Sequence, residues 1–400
     1  MNESIKNILR KCRDIGVNIF RVFPINNSVL FESNPDFNDE GYWLCKYLED
    51  KGIEKKYKVY WILKDHSIDK APNGWNASFI YESPRSLKEF IKRYYVLYTV
   101  KFIFDSCSYT YKKRKKQVRI HIIHGMPIKN ADEYYRKVGN ADYVEIGSSF
   151  FSKYFSDAGV EKSRQLNFGL IRNDALGYPK EYLNKIGINK KEYKKVVMWL
   201  PTYRQRSDHQ DICSIEVKGS SGLPILYNQN DTEVLNHRLQ DDQILLIIKP
   251  HQSQDLETLH INTASNILVL TNEMLTRTEV QLYSLLSEVD ALITDYSSVY
   301  FDFLLADKPI GLTVDDLNEY RDSVGFAFAH YENASYEKNI AGEYLRTLPE
   351  FLSFFDNLLD TDKVKAMVEK LQKAKLLYND EITFHSGDKF YDFLVRKLNF

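Results

Sequence analysis

The chain has 400 residues, 44% of them hydrophobic and 27% charged, with a formal net charge of −1. That length exceeds what one hydrophobic core ordinarily fills, so two domains are expected, and near-neutrality removes the global field that would draw nucleic acid to the protein. Cys12, Cys45, Cys107 and Cys213 are scattered without C-x-x-C spacing, as in a reduced, cytoplasmic protein that needs no disulfide framework.

Residues 1–22 place Ile5, Ile8, Leu9, Cys12, Ile15, Ile19 and Phe20 at helical spacing among Lys6, Arg10, Lys11, Arg13 and Arg21. This is the pattern of a basic amphipathic helix, which either docks on the first domain or rests on an anionic membrane surface. No stretch offers the ~20 apolar residues of a membrane span, and the N-terminus lacks a signal peptide's apolar core. The expected location is therefore the cytoplasm, peripheral on the inner face of the membrane.

Residues 28–34 (SVLFESN) read as a strand, followed by the helical GYWLCKYLEDKG and a second strand at 57–63 (YKVYWIL). The alternation continues through the strand SFIYE, the helix RSLKEFIKRYYVLYTV, the strand KFIFDS, the basic run KKRKKQVR and the strand RIHIIHG, which ends at His124 and Gly125. Strand, helix, strand is the rhythm of a parallel α/β sheet. The pattern loosens over residues 158–184, which places a domain boundary near 175: an N-terminal domain at 23–175 and a C-terminal domain at 176–400. A second series follows, with strands at 196–204 (VVMWLPTYR), 244–251 (ILLIIKPH), NILVL, DALITDYSS and KPIGLTV, and charged helices from Leu348 onward. Two Rossmann-like halves in tandem suggest a ligand site in the cleft between them. The 28 Tyr and 23 Phe read chiefly as core residues.

Four polar clusters fall at the ends of predicted strands, where open α/β sheets bind their ligands. In IIHGMPIKN, His124 follows an apolar strand and can serve as a general base near neutral pH, while Gly125 permits close backbone approach and Lys129 adds a cation. In WLPTYR, Pro201 ends a strand and leaves Thr202 and Arg204 at its edge, where a guanidinium fork could hold a phosphate. In IIKPHQ, Lys249 and His251 leave a buried strand together, and a lysine so placed needs solvent or an anion. In DYSSVYFD, Asp295 ends a strand, Ser297 and Ser298 open a helix whose N-terminus is suited to anions, and Asp302 lies one turn on. Each cluster alone has an ordinary structural explanation. Together they suit a substrate carrying a pyrophosphate. The glycine-rich fingerprints of dinucleotide and ATP sites are missing, and no acidic pair has metal spacing, so positive charge and a helix end would stabilise the leaving group.

With these motifs the sequence resembles the CDP-glycerol glycerophosphotransferase family, the teichoic-acid primases and polymerases. The family's H-G-T-P-L-K segment is matched by His124, Gly125, Pro127 and Lys129; its P-T-[WY]-R by Pro201, Thr202, Tyr203 and Arg204; and its K-x-H-P by Lys249 and His251, with Gln252 in place of proline. Its D-Y-S-S-x-x-F-D is matched through Asp302, and a G-x-x-R-x-D-x-L segment by Gly169, Arg172, Asp174 and Leu176. The resemblance implies a GT-B-like fold and metal-independent transfer of glycerol phosphate from CDP-glycerol, with CMP released and no cofactor. It implies that His124 deprotonates the acceptor hydroxyl and that Arg204, Lys249, His251, Ser297, Ser298 and Asp302 bind the donor. Gly125, Lys129, Arg172, Thr202 and Asp295 are further candidates.

The expected partners are a nucleotide-activated polyol, a lipid-linked glycan acceptor and an anionic membrane surface. Met126, where the family has threonine, and Gln252 leave the acceptor less defined than the donor. The chain also lacks the long N-terminal extension of family polymerases, which favours a primase or capsule-type transferase. Three alternatives stand beside this reading: a CDP-ribitol or other polyol donor, a sugar-nucleotide glycosyltransferase or epimerase, and a non-catalytic scaffold.

Overall fold

The computed structural model describes residues 16–106, 112–204, 218–251, 254, 259–261 and 263–400. By internal contacts the chain groups into two compact units that are not two contiguous stretches. One comprises Met1–His124, Tyr135–Glu145 and Gly159–Leu166; the other comprises Gly125–Tyr134, Ile146–Ala158 and Asn167–Phe400.

The first unit is a seven-stranded parallel sheet built from β1 (Ser28–Phe31), β2 (Lys58–Leu63), β3 (Ala77–Tyr81), β4 (Phe102–Asp105), β5 (Val118–His121), β6 (Tyr143–Glu145) and β7 (Gln165–Leu166). Their order is β3-β2-β1-β4-β5-β6-β7. The apolar runs are nearly continuous because both faces of a parallel sheet are covered. On one face Leu30, Tyr60, Ile62, Ile80 and Ile103 pack with Val96 and Leu97 of the helix Leu87–Thr99. The other carries an in-register aromatic ladder. Phe31 is paired with Trp61 on β2 and Phe104 on β4, and its ring centroid lies 5.5 and 5.1 Å from theirs. Much of the aromatic content is therefore core.

The second unit is a six-stranded parallel sheet: β8 (Lys195–Trp199), β9 (Ile244–Ile248), β10 (Ile267–Val269), β11 (Ala291–Thr294), β12 (Ile310–Thr313) and β13 (Glu343–Leu345), in the order β10-β9-β8-β11-β12-β13. This is the doubly wound Rossmann order, whose direction reverses between β8 and β11. Its core joins Val197, Trp199, Leu246, Ile248 and Ile293 to Leu235 and Leu239 of the helix Gln229–Asp242 and to Phe351, Phe354 and Phe355 of the helix Leu348–Leu358.

Some expectations shift. The strand predicted to run to His124 ends at His121. The first sheet extends to Leu166, short of the boundary expected near 175, because β6 and β7 add three and two residues. The run KKRKKQVR is not uniformly a basic surface. Arg119 is fully buried, donating from Nε and Nη2 to Asp105 at 2.9 and 2.8 Å, and Lys112 pairs with Asp142. Most of the predicted N-terminal helix lies outside the described residues. Its end is a 3₁₀ turn, Asn18–Val22, preceded by Val17, which is buried with Tyr94 and Tyr98.

Candidate functional site

In the second unit the loops that follow β8, β9 and β11 carry three of the four polar clusters. Their side chains divide into two groups. One group is turned inward and fully engaged. The Asp295 carboxylate accepts the Thr202 N–H at 3.0 Å, the Thr202 hydroxyl at 2.6 Å, the Tyr296 N–H at 2.6 Å and Arg204 Nη1 at 2.9 Å. Arg204 also donates from Nε to Asp316 at 2.7 Å and from Nη1 to the Thr202 carbonyl at 2.8 Å. Burial opposes the guanidinium's charge, but Asp295 and then Asp316 more than offset it, holding the pKa above its ordinary value. Arg204 was expected to offer its fork to a phosphate. Here it is only 2% exposed and its fork joins β8 to the ends of β11 and β12.

Asp302 is likewise buried. It accepts Arg172 Nη2 at 2.8 Å, Asn173 Nδ2 at 3.0 Å and the Tyr283 hydroxyl at 2.5 Å. Asp174, two residues beyond Arg172, accepts the N–H groups of Ser386 and Gly387 at 3.0 and 2.9 Å, capping the helix Ser386–Leu398. Gly169 has φ +80°, and a Cβ there would lie 2.5 Å from Ser386 Oγ. The G-x-x-R-x-D-x-L segment thus ties the C-terminal helix to the helix that follows β11.

The second group gathers Lys249, Ser297, Ser298 and the residues around Tyr203. Lys249 follows the buried strand β9, and its Nζ donates to the Pro250 carbonyl at 3.3 Å. Among the described residues no carboxylate pairs with it, and burial pushes its pKa down to about 8. Ser298 stands at the N-cap position of the short helix Val299–Phe303, yet its backbone is helical and its side chain makes no capping bond. The capping role expected of it is absent because its φ and ψ, −60° and −20°, turn the hydroxyl from the free amides. Both Ser297 and Ser298 are half-buried. The His251 ring lies 5.0 Å from that of Tyr203, and Lys129 Nζ lies 5.2 Å from the same Tyr203 ring. Gly125 is close enough to Ser298 that an added Cβ would fall 2.2 Å from its Oγ. Lys129 and His251 therefore each adjoin Tyr203, and Gly125 adjoins Ser298. Met126 is buried against Gly147 rather than presented to solvent, while Gln252 lies outside the described residues.

In the first unit His124 is half-exposed, and its Nδ1 is hydrogen-bonded to the buried carboxylate of Asp39. Asp39 opens the helix Asp39–Asp50 after β1. Sequence reasoning missed it, because an acid in the first turn of a helix is commonplace. The only signal was its position at the end of β1, which flanks the switch point of the first sheet.

A family model described as CDP-Glycerol:Poly(glycerophosphate) glycerophosphotransferase matches residues 17–381. The chain is 24% identical to a teichoic acid poly(glycerol phosphate) polymerase of Bacillus spizizenii, over 96% of this chain and 94% of that protein. It is also 24% identical to a teichoic acid ribitol-phosphate primase of the same organism, over 64% of this chain and 66% of the relative. Among solved structures it resembles the wall teichoic acid polymerase TagF with a TM-score of 0.75, at 18% identity, covering 99% of this chain and 96% of that one. That likeness establishes the GT-B-like α/β architecture.

Proposed function

Because the chain belongs to the CDP-glycerol:poly(glycerophosphate) glycerophosphotransferase family, we propose that it transfers glycerol phosphate from CDP-glycerol to a hydroxyl in teichoic-acid biosynthesis, releasing CMP. The observation that carries this reading is Lys249. A desolvated ammonium with no carboxylate partner among the described residues is a built-in receptor for an anion. The hydroxyl of Ser298, which makes no capping bond, together with that of Ser297 and the imidazole of His251, would add donors for a pyrophosphate.

His124 serves as the base that takes the acceptor's proton, and Lys249, His251 and the two serines carry the charge that builds on CMP. Arg204, Asp295 and Asp302 act one step back, by fixing the loops that present those groups. No metal is assigned a role in this scheme, so transfer should persist in excess EDTA. The acceptor is a lipid-linked glycan or polyol phosphate. Ribitol phosphate is the second reading for the donor, supported by the similarity to a ribitol-phosphate primase.

Association with an anionic membrane surface, on its cytoplasmic side, is also part of the proposal. No described helix is long and apolar enough to cross a membrane. On the helix Leu87–Thr99, Leu87 and Ile91 are exposed one turn apart, and Phe23 packs at 5.3 Å on Tyr95, a further turn along. Ile19, Val22 and Phe23 are exposed beside them, and Arg114 donates to the Phe23 carbonyl at 2.6 Å. An apolar patch flanked by Lys88, Lys92, Arg21 and Arg114 suits a lipid headgroup layer.

The test is direct. Purified protein is incubated with CDP-glycerol or CDP-ribitol and a lipid-linked acceptor, and CMP release and product mass are followed. Turnover with CDP-glycerol, lost in His124→Ala while donor binding persists, is the expected result. Absence of turnover with either donor would overturn the reading.

A further inference from the structure

Two aspartate–histidine pairs lie close together in the first unit, and they differ in what surrounds them. His121, on β5, is buried with its Nδ1 3.2 Å from Asp105, whose carboxylate is already held by two nitrogens of Arg119. That pair is sealed in the core. His124 is half-exposed, and its Nδ1 meets Asp39, which is buried.

Asp39 is held by its own scaffold. Its N–H donates to Asn38 Oδ1 at 2.7 Å, the Asn38 N–H donates to Ser33 Oγ at 3.1 Å, and the Ser33 hydroxyl donates to the Pro35 carbonyl at 2.8 Å. Its backbone has φ +56°, and that of Phe37 +53°, in the left-handed region that such residues rarely adopt. Strain of this kind persists where the surroundings over-determine it, and it collects at functional sites. Gly41 lets the helix start close: a Cβ there would lie 2.9 Å from the Glu32 carbonyl. The other charged groups on these loops are Glu32, Asp36, Glu40 and Lys64. Glu32 accepts the Ser106 N–H at 2.9 Å and lies 4.0 Å from Lys64 Nζ, and Asp36 accepts the N–H groups of Lys64 and Asp65. Glu40 is fully buried.

We propose that Asp39 is the positioning residue of an Asp39–His124 dyad, fixing the ring with its proton on Nδ1 so that Nε2 is the nitrogen that takes the acceptor's proton. The inference rests on the function proposed above. As Nε2 takes the proton, the electron pair of the acceptor O–H bond forms the new O–P bond. The P–O bond to CMP breaks, its pair leaves on the CMP phosphate, and His124 later releases the proton to solvent. Asp39 touches neither donor nor acceptor. It holds the ring's orientation and stabilises the imidazolium while it lasts.

The test compares wild type, Asp39→Asn and Asp39→Glu in steady-state transfer from CDP-glycerol between pH 5 and 9, together with nitrogen-15 NMR of the wild-type histidines. Asp39→Asn is expected to lower kcat about a hundredfold or more. KM for CDP-glycerol should stay within about threefold, the acid limb of the pH–rate profile should move to lower pH, and Asp39→Glu should restore part of the rate. A kcat within about threefold of wild type, or a loss with an unmoved acid limb, would overturn the dyad. So would a neutral His124 carrying its proton on Nε2. The tautomer is read on the wild-type protein, so it decides the matter even where the variant misfolds. It also separates the two claims: no transfer from any CDP-polyol removes the proposed function, while the ring's tautomer still reports on Asp39.

Discussion

Replacing Lys249 by methionine should make the protein more stable and a poorer binder of its donor. The side chain emerges from β9 into a half-buried position where burial lowers its pKa from 10.5 to about 8. That difference corresponds to about 3 kcal/mol of destabilisation of the charged, folded form at neutral pH. Methionine has nearly the same length without the charge, and it forfeits only the hydrogen bond to the Pro250 carbonyl, worth about 1 kcal/mol. The net expectation is a gain of about 2 kcal/mol at pH 7. The sign in alkali follows from the proton count. Between about pH 8 and 10.5 the unfolded chain holds a proton that the folded one has released, so wild-type stability rises with pH across that window. The advantage of Lys249→Met should therefore shrink from pH 8 upward, and by pH 10.5 wild type should be the more stable by about 1 kcal/mol, the hydrogen bond that methionine lacks. Urea unfolding at pH 7, 9 and 10.5 measures it. Isothermal titration with CDP-glycerol should then show affinity falling about ten- to a hundredfold in the variant, the loss of one charge-assisted hydrogen bond. A variant less stable than wild type at pH 7, by a margin that does not change with pH and with donor affinity intact, would refute the reasoning. Lys249 would then be a packing residue.

Three other perturbations probe the frame around that lysine. Asp316→Ala leaves Arg204 buried with half its acceptors, and should lower stability by about 3–5 kcal/mol in urea unfolding; a change confined to donor affinity would show that Arg204 is a ligand-binding group. Gly125→Ala drives a methyl into Ser298, 2.2 Å from Oγ, and should lower kcat/KM at least tenfold in the CMP-release assay with the fold retained by circular dichroism. Asp174 has a pKa raised to about 6, chiefly by burial and in spite of the Gly387 and Ser386 amides. Because the folded value lies above the unfolded one, its contribution to stability is greatest below about pH 3.8 and declines as pH climbs to about 6. Asp174→Asn should flatten that decline in thermal melts from pH 4 to 7.

The strands that could be read in advance are those built on an uninterrupted apolar run, such as ILLII in β9 and ALI in β11. β6, β7 and β13 contain two or three residues each and take their pairing from established neighbours, so no local pattern announces them. The site was legible in position and not in orientation. Thr202, Arg204, Lys249 and Ser298 all stand where an apolar run stops. Whether each turns in or out is decided by Asp316, Tyr283 and Asp295, which come from other elements. Arg204 and Asp302 turned inward because buried carboxylate and guanidinium partners were waiting; for Lys249 none of the described residues offers a carboxylate. Asp39 lies 85 residues before His124, and only the ordering of strands at the end of β1 and β5 brings the two together.

The division of the chain bears on how the protein is made. The polypeptide passes from one unit to the other five times between His124 and Asn167. Within the second unit, His330 holds Asp132 and Asp157 at 3.0 and 3.1 Å, and so gathers two of the short crossing segments. Those segments leave the ribosome well before His330 is synthesised. The second unit cannot close on them until its distant part arrives, and no single cut, in a truncation or by a protease, releases either unit whole. Synthesis should therefore yield a long-lived nascent chain with an early first sheet and unsatisfied crossing loops, a state in which chaperone demand is set by connectivity more than by hydrophobic content.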